Sequence, residues 1–444
     1  MSLHMKPVDP TQVKTPDPLE LSARVIAARA ADEPTNRTSN TLSELDDGLA
    51  VVESFSHLYA FDSGESLVCF DASSALTGAA VTEALRSWST APISDLVYTH
   101  GHVDHVGGSA ALAADARDRG HRLPEVTAHE AVADRFDRYR RTSGYNTVIN
   151  QRQFGGRPAG AVVSGDEPMP DFLGDDTLAP TRTVSVRSRL VVGDHTFEMH
   201  HARGETDDHL WTWVPERRAL ITGDFVCWVF PNAGNPQKVQ RYPAEWAAAL
   251  REMQSYGAEL LLPAHGLAIR GRAAIDEVLG DVAGVLEFLV TETLERMNVG
   301  MPLHQIVAEV TVPDELLARP WLAPVYDEPE FVVRNIWRLY GGWWDQDPAW
   351  LKPAPRADLA REMVNLAGGP IAMAERAQRL VDEGDLRVAC HLIEMVVQAD
   401  PDDRAAHEVR AEVYRARRRT ELSLMAKGIF SGAIRESQAI VDET

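Results

Sequence analysis

The stretch Asp95-Leu96-Val97-Tyr98-Thr99-His100-Gly101-His102-Val103-Asp104-His105 decides how this chain is read. Three of its fifteen histidines and one aspartate fall within six residues, directly behind an apolar run that reads as a buried strand. At a strand end followed by a turn, His100 and His102 project alike because side chains alternate with period two, while Asp104 and His105 reach a second point from the turn. Neutral imidazoles and carboxylates are the ligands that borderline divalent metals accept. One short segment therefore offers two neighbouring metal positions. Scattered surface histidines do not repeat as HxHxDH behind a strand. Gly107-Gly108 is expected to let the backbone turn sharply into the next helix.

Outward from this segment, Leu49 to His265 alternates short β-like runs with helix-like ones, the pattern of an α/β domain. Candidate strands are Leu49–Glu53, Ser66–Phe70, Asp95–Thr99, Arg182–Val186, Thr196–His200, Leu210–Val214 and Ala219–Thr222. Gly193-Asp194 and Pro215-Glu216-Arg217 supply the special backbone angles of hairpin turns. Helices are expected at Ser109–Arg119, Glu130–Arg141 and Ala244–Tyr256, the first and last stopped by Gly120 and Gly257. Gly155–Asp176, rich in Gly, Pro and Asp, reads as a surface loop. After about Gly271 the β-signals stop. Ala372–Val381, Arg387–Gln398 and Ala405–Arg415, separated by Gly384-Asp385 and Asp400-Pro401-Asp402, resemble a tetratricopeptide-like helical hairpin, which must pack on something else because one repeat cannot bury its own face.

The whole chain has 444 residues, more than one core usually organises. The reading divides it into an arm at 1–45, a catalytic domain at 46–300 and an all-α domain at 301–444. A formal net charge of −22 repels nucleic-acid phosphates and anionic lipid headgroups, which disfavours a nuclease or a membrane-surface protein. Cys69, Cys227 and Cys390 lie far apart and leave an odd number, so neither a disulfide framework nor a thiolate zinc site is suggested. With no apolar run near the roughly 20 residues of a membrane span and no secretory core after Met1, a cytoplasmic protein without membrane or nucleic-acid partners is expected.

The HxHxDH motif resembles that of the metallo-β-lactamase superfamily, and the order of later acidic and histidine residues is similar. The resemblance implies an αββα four-layer sandwich carrying the metals at one end. It also implies that His201-Ala202-Arg203-Gly204-Glu205 puts Glu205 where most members have histidine, that Ile221-Thr222-Gly223-Asp224 supplies a bridging carboxylate, and that Leu262-Pro263-Ala264-His265-Gly266 supplies the last imidazole. A glutamate at the first of these slots is similar to the alkylsulfatase branch. His209, close behind among Asp207 and Asp208, is the alternative ligand. Phe331–Trp344, Leu366-Ala367-Gly368-Gly369 and Gly384-Asp385 to Pro401 resemble the alkylsulfatase dimerisation domain, which implies a homodimer through the C-terminal helices.

From this resemblance one metal is expected on His100, His102 and Glu205 and a second on Asp104, His105 and His265, with Asp224 between them and with Asp104 and Asp224 as the catalytic carboxylates. The two divalent ions would be zinc on the strength of the histidines; iron or manganese also suits three carboxylates. The alkylsulfatases hold sulfate through an asparagine and an arginine after the bridging carboxylate. Here Asn232 fills the first place, whereas the second falls near Pro236 or Gln237, leaving Lys238 or Arg241 to substitute. Arginine and lysine are not equivalent at a planar two-pronged contact. Trp228, Phe230, Trp337, Trp343 and Trp344 suggest an acyl-chain pocket, though at least half are expected in the core or an interface. The expected activity is hydrolysis of an alkyl sulfate or related aliphatic ester by metal-activated water. The competing readings are a thioester, lactone or phosphoester hydrolase and a non-catalytic dimeric binding protein.

Overall fold

The computed structural model describes residues 16–154 and 171–443, and the expected loop at Gly155–Asp176 lies mostly outside them. Among the described residues two sheets form. The first has seven strands in chain order: β1 (Thr41–Asp46), β2 (Leu49–Glu53), β3 (Leu58–Asp62), β4 (Leu67–Phe70), β5 (Ile93–Val97), β6 (Glu125–His129) and β7 (Arg182–Val184). The second holds β8 (Arg187–Val192), β9 (His195–His201), β10 (Leu210–Val214), β11 (Ala219–Gly223), β12 (Leu260–Pro263) and β13 (Ile269–Arg270). The two expected hairpins are present, with Val192 paired to His195 and Val214 to Ala219.

Strand alternation sorts the apolar side chains into layers. Val51, Tyr59, Phe61, Val68, Phe70 and Val97 meet Phe197, Met199, Leu210, Ile221 and Leu262 between the sheets. Their neighbours Val52, Leu58, Ala60, Cys69 and Leu96 face outward onto the helices Gly78–Trp88, Ser109–Asp118 and Ala131–Arg141. Trp211, Leu220 and Leu261 face the other way, onto the helices Pro243–Ser255 and Arg272–Asn298. This is the expected four-layer αββα sandwich, and an all-helical region follows it.

Two features depart from the sequence reading. The first forty residues are not simply an arm, because Pro18–Ala28 is a helix that buries Leu21, Val25 and Ile26 in the core beside the second sheet. Nor does the core separate at residue 300: Leu303, Ile306, Trp321, Val332 and Ile336 belong to the cluster that contains Trp211 and Leu261. A distinct helical core begins only with Val364 and runs to Val413. The three tetratricopeptide-like helices are Pro370–Glu383, Leu386–Ala399 and Arg404–Thr420, and the last of them packs against the helix Leu424–Asp442. Gly384 takes φ 87° at the first junction, and Asp385 and Asp403 cap the following helices through their side chains.

Candidate metal centre

The expected ligands all follow the ends of strands. His100 to His105 follow β5, Glu205 lies in the loop from β9 to β10, Asp224 follows β11 and His265 follows β12. Because β4, β5 and β6 are mutually parallel and β11 is parallel to β12, their carboxyl ends open at one rim of the sandwich. The amide of Leu210 donates to the carbonyl of Thr99 and ties the sheets together there.

At this rim His100, His102 and Asp224 offer ligand atoms within 4.8 Å of one another, and so do Asp104, His105 and His265. Asp224 stands between the groups. Its Oδ2 is 3.8 Å from His100 Nε2, and its Oδ1 is 3.4 Å from His105 Nε2 and 3.5 Å from His265 Nε2. Asp104 Oδ2 lies 3.4 Å from His265 Nε2 and 3.5 Å from His105 Nε2. Glu205 closes the other side, with Oε1 3.7 Å from His102 Nδ1.

The donor set fits divalent metal. Nε2 of His105 and Oδ1 of Asp224 are fully buried yet make no hydrogen bond among the described residues. Burial, then neighbouring histidines, push His100 well below the usual imidazole range; His102 is lowered by burial and by Arg135. Both stay neutral, as ligands must be. Burial would also lower His105, but the carboxylates of Asp224, Asp104 and Asp71 hold it well above its ordinary value. Burial raises Glu205 strongly and the charge of Asp224 adds to this. Crowded carboxylates that repel one another call for a cation.

Around the cluster the structure separates the remaining candidates. His209 turns its Nε2 to the amide of Asp224, 3.2 Å away, and burial lowers it to about 3. It therefore backs the cluster instead of opening toward it. Gly223 permits this packing, since with φ 52° a Cβ there would stand 2.5 Å from His209 Nε2. Asn232 Nδ2 donates to Glu205 Oε1, and Arg241, 2% exposed, brings Nη2 to 3.3 Å from the same oxygen. Lys238 is not with them: its Nζ donates to Asn150 Oδ1 at 3.0 Å, and burial followed by the charge of Arg241 lowers it to about 8. Trp228, Phe230 and Trp337 are core residues, whereas Trp343 is 71% exposed. The two glycines after the motif form the turn between the helices Val103–Val106 and Ser109–Asp118 without a left-handed backbone. Gly107 and Gly108 have helical φ of −64° and −72°; a Cβ on Gly108 would lie 1.9 Å from the carbonyl oxygen of Ala72, so the requirement is close approach.

Two supporting residues, Asp71 and Arg135, escaped the sequence reading, and Asp208, noted there only as a neighbour of Glu205, supports the site from behind. Asp71, just after β4 with φ 57°, accepts from the amide and hydroxyl of Thr99, each at 2.8 Å, and lies 2.8 Å from His105 Nδ1. Arg135 and Asp208 form a buried ion pair, and Asp208 Oδ2 also accepts from the amide of Gly101 at 3.3 Å. A carboxylate placed directly behind a buried strand was a readable signal for Asp71. Arg135 had none, being one of several arginines on its helix.

Comparison with known proteins now bears on this geometry. The model of the metallo-beta-lactamase superfamily matches residues 51–265, and that of alkyl sulfatase dimerisation matches residues 303–439. Residues 51–265 thus carry a metallo-beta-lactamase domain and residues 303–439 an alkyl sulfatase dimerisation domain. It is 26% identical over 342 residues to a linear primary-alkylsulfatase of Pseudomonas sp., covering 74% of this chain and 64% of the relative. To an (R)-specific secondary-alkylsulfatase of Pseudomonas sp. it is also 26% identical, covering 72% of this chain and 50% of that protein. The chain thus spans about half to just under two thirds of these relatives. The solved structure of a stereoselective inverting sec-alkylsulfatase from Pseudomonas sp. superposes with a TM-score of 0.77 at 23% identity, covering 96% of this chain and 69% of that one, which shows the shared fold. Among the described residues no helix is long and apolar enough to cross a membrane.

Proposed function

We propose that this protein is a metal-dependent hydrolase that cleaves an alkyl sulfate or related aliphatic ester. The observation that carries the reading is the placement of Asp224 between two ligand groups, with Asn232 and Arg241 converging on Glu205 beside them. In this reading His100, His102 and Glu205 hold one divalent ion, Asp104, His105 and His265 hold a second, and Asp224 joins them. Such a pair, zinc or alternatively iron or manganese, supplies an acidified water nucleophile and stabilises the oxyanion that develops. The protein's own part is to keep His100 and His102 neutral, to gather the carboxylates that a cation would balance, and to exclude bulk water from the buried side chains of His100 and His105. Arg241 is the anion-binding arginine of the reading. Its planar fork suits a sulfate oxygen pair, and Asn232 contributes a neutral donor. The similarity of two relatives named as alkylsulfatases supports this substrate class. The helical region from 301 onward, matched largely by the dimerisation model, is proposed to join two copies.

The test uses purified full-length protein. Metal analysis, then assays of sulfate release from a linear alkyl sulfate beside thioester, lactone and phosphoester substrates, should show sulfate release that a chelator abolishes and added metal restores. Turnover of only the other esters would move the substrate class, and well under one ion per chain would remove the hydrolase reading altogether.

A further inference from the structure

The loop that carries Asn232 and Arg241 has no regular structure of its own from Phe230 to Arg241, yet both side chains must reach one carboxylate oxygen of Glu205. Its backbone is held along its length by one segment of the helical half. The amide of Phe230 donates to the carbonyl of Ala323 at 2.9 Å. The amides of Gly234 and Asn235 both donate to Asp327 Oδ2, at 2.6 and 3.1 Å. At the far end Asn335 Nδ2 donates to the carbonyl of Arg241 at 3.1 Å, and Gln240 Nε2 donates to Asn335 Oδ1 at 2.9 Å. Asp327 is wholly buried, and Asn335 is 4% exposed.

The approach is close enough to exclude any larger residue at Gly234, where a Cβ would stand 2.4 Å from the backbone of Phe331 and Val332. A buried carboxylate that accepts several amides is a strong and directional anchor. Its removal leaves amides without partners in a place water reaches poorly. The same segment is itself braced from behind. Ser423 Oγ donates to the carbonyl of Tyr326 at 2.7 Å, and the amide of Leu424 donates to that of Val325 at 2.8 Å.

We infer that Asp327 and Asn335 are positioning residues for the active site: they template the 230–241 loop so that Asn232 and Arg241 present their donors together. The helical half is in this sense part of the anion-binding apparatus and not only a contact between copies. The chemical meaning of the inference rests on the hydrolase reading above, but its first measurement does not.

That measurement is amide hydrogen exchange across 230–241 in the full-length protein. Asp327→Ala should speed exchange at Gly234 and Asn235 at least tenfold, with Asp327→Asn, which keeps one acceptor oxygen, in between. Asn335→Ala should loosen the Gln240–Arg241 end and carries the test should Asp327→Ala fail to fold. On an alkyl sulfate the variants should raise KM about tenfold or more, with kcat within a few-fold and metal content equal to that of the parent. Unchanged exchange in both Asp327→Ala and Asn335→Ala overturns the inference, and so does a fall in kcat that tracks lost metal. If the parent itself releases no sulfate, the substrate reading falls and the exchange result alone decides this inference.

Discussion

Oδ2 of Asp71 lies 2.8 Å from Nδ1 of His105, so the far side of that imidazole, Nε2, is the one presented to the ligand group. Ser56 Oγ, 3.1 Å from the same Nδ1, completes the support. Partners of this kind fix the tautomer and orientation of a ligating histidine, and their loss costs about 10- to 100-fold in metal affinity. Asp71→Ala is expected to weaken metal binding by that margin while leaving the fold in place. Competition with a chelator of known affinity would measure it, and an unchanged dissociation constant would contradict the assignment.

The Arg135 and Asp208 pair has side-chain exposures of 2% and 0%. Removing one partner strands a buried charge, at a cost of about 3 to 5 kcal/mol. Arg135→Ala should show this in denaturant unfolding, whereas the double replacement Arg135→Met with Asp208→Leu should recover much of the stability. Because Asp208 also holds the amide of Gly101, the double variant should still bind metal less tightly than the parent.

Acid should weaken the fold through His200, which stacks on Trp211 with ring centroids 4.1 Å apart. Burial, with a smaller contribution from Arg187, lowers it to about 4. The unfolded chain takes up this proton below about pH 6.5 while the folded chain does not, so stability present above 6.5 is lost as the pH falls toward 4. One such group changes stability by at most about 1.4 kcal/mol per pH unit. His200→Gln should flatten the urea midpoint between pH 6.5 and 4; an identical slope in parent and variant would show that other groups set it.

Leu366, the last residue of the helix Arg356–Leu366, and Ile371, in the first turn of the helix Pro370–Glu383, are 80% and 75% exposed, a poor arrangement for a chain that works alone. Replacing both by glutamate should convert a dimer to monomer in analytical ultracentrifugation without altering metal content. A variant that stays dimeric would place the contact elsewhere.

Much of this was legible in the sequence because it depends on local period and short motifs. Leu49–Glu53 and Leu210–Val214 have the same bounds in the structure as in the reading, and the helix expected at Ser109–Arg119 ends one residue earlier. Strands such as Arg187–Val192, which alternates between exposed and half-buried residues, carry too little apolar signal to announce themselves. The helix Pro18–Ala28 was hidden by the polar composition around it, and its worth comes from three apolar residues that meet a core distant in sequence. Residues 301–341 read as part of a separate helical domain because helical period says nothing about which core a helix joins. A cut after Gly300 would remove Trp321 and Val332 and uncover the core they close, Trp228 and Leu286 included, and aggregation is the expected result. Within the site, the ligand motifs were visible, but the choice between Lys238 and Arg241 was not. It turns on which of two neighbouring loop side chains faces inward.

The candidate ligands of the proposed metal centre come from the rims of both sheets, so neither sheet alone contains a site. His100 and His265 are brought together only after the two sheets have docked face to face, a late event for contacts so far apart along the chain. Metal uptake during refolding should therefore lag collapse and secondary structure, and a bound ion would act as a latch on the finished sandwich.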